Sequence, residues 1–202
     1  VNRGKLIAFE GLDGSGKSTQ LAMLAEHLRG RGLEVVTTRE PTDGVHGRRI
    51  RAMARSGERV APEEELRWFV EDRREHVEHV IAPALAKGHV VLTDRYYVSS
   101  VAYQGARGLD GQAILAQSER DFPIPDLVVV VDVPPDEGIE RVGARGGAQE
   151  PVFEEIEFQR RVAAELARID RDYVVTVDGR GSPEDVHARV RDACERALSS
   201  LG

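Results

Sequence analysis

A chain of 202 residues, 41% apolar and 31% charged, holds enough material for one compact domain and is short for two. Its formal net charge of −7 speaks against general nucleic-acid binding, which needs a basic face, and no run approaches the roughly 20 apolar residues of a membrane helix. The opening Val1-Asn-Arg-Gly-Lys5 lacks the pattern of a secretory signal, and the single cysteine, Cys194, fits a reducing cytosol without internal disulfides.

In chain order, Lys5 to Glu10 reads as a buried strand that runs into a glycine loop. The loop Gly11-Leu12-Asp13-Gly14-Ser15-Gly16-Lys17-Ser18, followed by Thr19, has the G-x-x-x-x-G-K-[ST] pattern of a polyphosphate cradle. Its glycines let backbone N–H groups turn inward around phosphates. Lys17 brings a point charge to the outer phosphates, and the Ser18 hydroxyl suits Mg²⁺. The next helix aims its positive end at the same anion. Only three of the 28 basic residues are lysines (Lys5, Lys17 and Lys87), so a compact ammonium is kept where the loop needs one. The alternative, a glycine-rich turn that binds nothing, is disfavoured by the strand before it and the helix after it.

Leu21, Leu24, Ala25 and Leu28 predict a helix from Lys17 to Arg31, closed by Gly32. Glu34 to Arg39 is β-branched and strand-like, and Ser56 to Pro62 reads as a loop. Pro62 with three glutamates after it looks like the first turn of a helix running to about Lys87, with Gly88 as its stop. Its apolar stripe comprises Leu66, Phe69, Val70, Val77, Val80, Ile81 and Leu85, but Arg73 stands where another apolar residue belongs. Arg73 lies four residues after Phe69, on the same face. An inward arginine needs a partner, either a ligand or a structural carboxylate, unless its head reaches solvent.

His89 to Thr93 reads as a strand ending at Asp94, the candidate second metal ligand, since ligands gather at strand carboxyl ends in such sheets. After a helical stretch and the Phe122–Pro125 turn, Asp126 to Val133 gives the strongest strand, Leu-Val-Val-Val-Val. Gly143 to Pro151 is glycine-rich and reads as a mobile loop between helices. A last strand, Tyr173 to Val177, precedes a helix opened by Ser182-Pro183-Glu184-Asp185, in which Cys194 falls at a core position with Val190, Ala197 and Leu198. Strands alternate with helices and lack period-two alternation, so an α/β fold with a parallel sheet covered on both faces is expected.

The segments Phe9-Glu-Gly-Leu-Asp-Gly-Ser-Gly-Lys-Ser-Thr19, Thr38-Arg-Glu-Pro41, Asp94-Arg-Tyr96, Ser99-Ser-Val-Ala-Tyr-Gln-Gly105 and Pro125-Asp-Leu127 together resemble the thymidylate kinases. The resemblance implies a single P-loop NTPase-type three-layer domain over residues 1–202, with a five-stranded parallel sheet and a short lid at about 141–152. It implies the reaction ATP + dTMP → ADP + dTDP with Mg²⁺, and a cytoplasmic homodimer that binds neither membrane nor nucleic acid. Phe69 would stack on thymine and Arg73 would donate to the base O4. Ser100 and Gln104 would meet the other base edges, and Tyr103 would crowd the sugar 2′ position. Asp13 would reach the 3′-hydroxyl, which explains a carboxylate in a phosphate loop. Arg51 and Arg95 would hold the acceptor phosphate, and Glu40 would organise the acceptor side. Because Gly14 occupies a position that is arginine in some members, the catalytic arginine is expected from the lid, with Arg145 first and Arg141 next. Two features depart from the family pattern: Glu150-Pro151-Val152 replaces the usual lid aspartate, and Thr42-Asp43 replaces a glycine pair.

Two other functions share the phosphate loop. One is a kinase of another nucleotide or small acceptor; the other is a nucleotide-binding regulator without an acceptor. A GTPase switch is disfavoured, since guanine is usually read by an Asn-Lys-x-Asp stretch and the only asparagine is Asn2.

Overall fold

A computed structural model describes residues 3–57, 59–146 and 153–198. Its strands are β1 (Lys5–Glu10), β2 (Val35–Arg39), β3 (Val90–Asp94), β4 (Leu127–Asp132) and β5 (Val174–Asp178). All pair in parallel, in the order β2-β3-β1-β4-β5. The central strands β1, β3 and β4 read as apolar runs because each face of the sheet meets its own core. Leu6, Ala8, Val91, Val128 and Val130 face one side, and Ile7, Phe9, Leu92, Val129 and Val131 face the other. The second core is closed by α1 (Lys17–Gly30) and α9 (Pro183–Leu198), whose Cys194 is 1% exposed. Burial pushes the Cys194 thiol up to about 12, so it stays protonated and serves as packing.

The first core is closed by α5 (Tyr97–Ala106), α6 (Gly111–Asp121), α8 (Phe153–Ala167) and the long helix after Pro62. The sequence suggested one uniform helix, and the structure corrects this. It runs as α3 (Pro62–His76), widens into a π turn over Val77–Ile81, and ends as α4 (Ala82–Ala86). The wide turn lies just ahead of Pro83, which has no N–H for the helix and whose ring crowds the carbonyl four residues back.

Another helix, α2 (Val45–Ser56), is not among the elements expected from the sequence. It carries Arg48, Arg49, Arg51 and Arg55, and Ile50 is its one buried apolar side chain. The expected loop from Gly143 is corrected too: α7 (Pro135–Gly146) continues through Gly143, and residues 147–151 lie outside those described. Elsewhere the strand ends move by a residue or so, with β3 starting at Val90 and β5 at Val174. Among the described residues no helix is long and apolar enough to cross a membrane.

The glycine loop and α7 meet backbone to backbone. A Cβ on Gly14, whose φ is +80°, would lie 2.0 Å from the carbonyl oxygen of Gly138, and a Cβ on Gly138 would lie 2.7 Å from that of Asp13. No side chain fits at position 14 while α7 stays in place. Gly138→Ala is therefore expected to lower stability by about 1–3 kcal/mol, read as a lower urea midpoint at unchanged slope. A variant with the wild-type midpoint would show that α7 yields freely.

Candidate active site

The site is built where β1 and β3 end side by side. Phe9 pairs with Asp94 in the sheet register, so the chain leaves both strands at one level. From β1 it enters the loop of Gly11 to Ser18, and α1 begins at Lys17 behind Gly16, an N-cap with φ +97° and no side-chain cap. The free N–H groups of that first turn face whatever the loop holds. The Ser18 hydroxyl donates to Asp94 Oδ2, so the two expected metal ligands are brought together across α1 and β3.

The last residue of β1, Glu10, is fully buried. Its Oε1 accepts from the backbone N–H groups of Tyr96 (2.8 Å) and Ser99 (3.2 Å), and its Oε2 accepts from the Ser99 hydroxyl (2.5 Å). Tyr96 is the extended N-cap of α5 and supplies no cap of its own, so Glu10 caps that helix from another element. Desolvation raises Glu10 to about 7, against the Ser99 hydrogen bond and the nearby Arg95 charge.

Between Asp94 and α5 stands Arg95, with φ +72°, the one non-glycine residue at positive φ among those described. That conformation costs about 1–3 kcal/mol, and such strain gathers at functional sites. It is held by Arg95 N–H donating to Phe9 O (2.9 Å) and by Thr93 Oγ1 donating to Arg95 O (2.8 Å). The guanidinium reaches Ser99 Oγ (3.0 Å), Tyr103 OH (3.3 Å) and the Asp13 carboxylate, and it lies 5.0 Å from the Tyr103 ring centre. Desolvation opposes ionisation of Asp13, yet the charges of Arg95 and then Lys17 hold its pKa below the ordinary value. Lys17 is buried, and its ammonium donates to Leu12 O at 2.7 Å. Burial first, and then the charge of Arg95, lowers Lys17 to about 8. Two cations converge here among three carboxylates, Glu10, Asp13 and Asp94.

A pocket of about 370 Å³ opens from this point between α2, α3 and α5. Asp13, Arg51, Arg95, Phe69, Ser100, Tyr103 and Gln104 are among the residues that line it. Arg73 lies beside it with 1% of its side chain exposed. Its Nε and one terminal nitrogen bind Glu40 Oε2 (2.9 and 2.7 Å), and that nitrogen also donates to Ser100 Oγ (3.1 Å). The inward arginine therefore has its structural carboxylate, and its other terminal nitrogen has no protein partner. Glu40 also meets His76 Nδ1 (2.9 Å), and His76 Nε2 meets Thr38 Oγ1 (2.7 Å), which fixes the carboxylate from both sides.

The Glu40–Pro41 peptide is cis. Past it, Asp72 accepts from Thr42 N–H (2.8 Å) and Thr42 Oγ1 (2.6 Å), so hydrogen bonds order the turn that departs from the family's glycine pair. Arg51 donates to Pro41 O (2.8 Å) and Asp43 (2.7 Å), which leaves it at the pocket's edge.

On the far side of the loop a cleft of about 270 Å³ is lined by Gly14, Gly16, Thr19, Arg141, Gly181 and Pro183 among others. Arg141 is tied to Glu137 and to Gly179 O. Arg145 falls in the last turn of α7, but its side chain lies outside those described. A wider groove of about 690 Å³ runs along β2 and α3 and shares Ser18, Thr38, Thr42, Asp43, His76 and Asp94 with the surroundings of the site.

Sequence reasoning missed several participants. Glu10 carried the same signal as Asp94, an acid at the end of an apolar strand, but the glycine loop drew the reading past it. Glu65, Arg107 and Phe158 also line the pocket; the first two are polar residues on helices, and Phe158 arrives from α8 with no local pattern to mark it.

A profile of the family described as thymidylate kinase matches residues 9–190. A thymidylate kinase of Akkermansia muciniphila is 45% identical over 191 residues, which cover 95% of this chain and 91% of the relative. One from Desulfotalea psychrophila is 42% identical, covering 92% and 91%. A probable thymidylate kinase of Archaeoglobus fulgidus is 40% identical, covering 96% of both.

The lowered pKa of Lys17 gives a test of its expected role in polyphosphate binding. In the free protein it loses its proton above about pH 8, whereas a bound polyphosphate favours the ammonium. Affinity for ATP should therefore fall as pH rises through about 8, with uptake of up to about one proton per ATP bound. Calorimetry in buffers of different ionisation enthalpy measures that uptake. Lys17→Arg should abolish it, and equal uptake in variant and wild type would assign the proton elsewhere.

Proposed function

This chain belongs to the thymidylate kinase family, and from that premise we propose how its side chains divide the reaction. The enzyme transfers the γ-phosphoryl group of ATP to dTMP and gives ADP and dTDP. A phosphate oxygen of dTMP attacks the γ-phosphorus while the bridge to the β-phosphate breaks, and ADP leaves. Such a transfer needs little covalent help; positioning and charge neutralisation do most of it.

The reading rests on one observation above the others. The pocket that holds Phe69, Ser100 and Gln104, and adjoins the buried Arg73, opens directly onto Asp13 and Arg95 beside the phosphate loop. A nucleoside monophosphate fits that run of groups. The base stacks on Phe69, with its O4 toward the unpartnered nitrogen of Arg73. Tyr103 restricts the sugar, and Asp13 takes the 3′-hydroxyl. Arg95 and Arg51 exchange their present carboxylate partners for the acceptor phosphate, a match for their planar forks.

On the donor side the loop amides and Lys17 receive the outer phosphates of ATP, and the cleft beside Arg141 lies open toward the loop of residues 178–182. Ser18 and Asp94 offer adjacent hydroxyl and carboxylate oxygens, the hard donors that Mg²⁺ prefers, so the residues present fit the ion. When bound, the ion neutralises phosphate charge. The exclusion of a side chain at position 14 supports an arginine from α7, Arg141 or Arg145, as the remaining cation. Glu40 serves the acceptor side indirectly, by holding Arg73.

ADP release from ATP should depend on dTMP in a coupled assay; release without an acceptor would favour the regulator reading. Lys17→Ala should lower turnover by on the order of 10²–10³ or more. Arg73→Ala should raise KM for dTMP about tenfold or more and leave KM for ATP within about twofold. Equal effects on both substrates would remove Arg73 from the base pocket.

A further inference from the structure

The same pocket contains a second unmet hydrogen-bonding atom, and the residue that creates it stands outside the expected site. Gln104 is 2% exposed, and its Nε2 donates to Glu65 Oε2 at 3.1 Å. Its carboxamide oxygen is left buried without a partner. A primary amide rotated by half a turn exchanges its donor for its acceptor with almost no change of shape, so only its partners decide which end is presented. Here the partner is a carboxylate, which in ionised form only accepts. Glu65 therefore fixes the Gln104 nitrogen toward itself and leaves the oxygen as the remaining group.

Glu65 is in turn held. Arg107 donates one terminal nitrogen to Glu65 and the other to Val60 O at 2.7 Å. Gln104 and Arg107 are three residues apart at the end of α5, so both reach one carboxylate in the first turn of α3. The glutamate cannot turn away without stranding a guanidinium that is 23% exposed.

We propose that Glu65, clamped by Arg107, is a positioning residue for base selection: it locks the Gln104 amide so that its oxygen, together with the free nitrogen of Arg73, forms an acceptor–donor pair complementary to the N3–H and O4 of thymine. The idea rests on the substrate reading above and adds the origin of its selectivity. Cytosine presents an acceptor at N3 and an amino donor at position 4, so both contacts invert against it. Uracil presents the same edge as thymine, so the lock acts against cytosine and leaves the 5-methyl group to be sensed by shape.

The test compares dTMP with dCMP as acceptors, and their equilibrium binding by calorimetry, in the wild type, E65Q and the pair E65M/R107M. The double variant removes the guanidinium along with its carboxylate, so no stranded charge obscures the result. Expected in E65M/R107M is a fall of at least about tenfold in the dTMP-to-dCMP ratio of kcat/KM. The loss should lie in KM and Kd for dTMP, with kcat at saturation and KM for ATP little changed. E65Q keeps an oxygen acceptor and should restore most of the ratio. A folded double variant with the wild-type ratio overturns the role of Glu65, and so does equal loss of both acceptors. If the wild type itself shows no preference for dTMP, the substrate reading fails, and this inference falls with it.

Discussion

The acceptor half of the molecule hangs on one buried carboxylate. Glu10 ends the central strand and receives the first N–H groups of α5, a helix whose own N-cap supplies nothing. Ser99, Ser100, Tyr103, Gln104 and Arg107 all stand on or at the end of that helix, so the pocket wall is fixed relative to the phosphate loop by two hydrogen bonds to backbone and one to a hydroxyl. Desolvation outweighs these hydrogen bonds, which is why the pKa of the carboxyl is raised to about 7. Arg95 lies in the short link between β3 and this helix and takes up the turn in its own backbone.

Charge is the second organising element, and it is arranged in reserve. Arg95 rests on Asp13, Arg51 on Asp43, and Lys17 on a loop carbonyl. In the proposed reading each of these contacts gives way to a phosphate oxygen, so the substrates meet cations already gathered. Arg73 differs, because Glu40 and Ser100 fix it and Thr38 and His76 brace Glu40 behind. On that reading the first three cations serve phosphates, whose charge tolerates small displacements, and the fixed one serves a base, where a hydrogen bond of the wrong sense must be refused.

Features encoded by local repetition or by a short motif were legible in the sequence. The central strands appear as apolar runs and the outer two as β-branched segments, and the loop from Gly11 to Ser18 carries its own geometry in its glycines. Arg73 was visible as an anomaly, a charge inside an apolar stripe, although only the fold supplies Glu40 as its partner. The resemblance pointed to most of the pocket, and the structure brings those residues together. What stayed hidden depends on contacts across elements. The π turn is a local response to Pro83 inside an otherwise regular pattern, α2 is masked by its arginines, and Glu65 acquires meaning only when α5 lays Gln104 and Arg107 against it. Polar residues on helix surfaces give no periodic signal, so a lock built from them cannot be read along one segment.

The backbone contact between Gly138 and the phosphate loop has a mechanical consequence. It lies near the start of α7, and the described helix extends eight residues beyond it, to Gly146. At 1.5 Å of rise per residue that is a stiff arm of about 12 Å, so a tilt of roughly 10° about the glycine fulcrum sweeps its tip by about 2 Å. Arg141 stands three residues past that contact, so the helix that touches the loop backbone also carries this guanidinium.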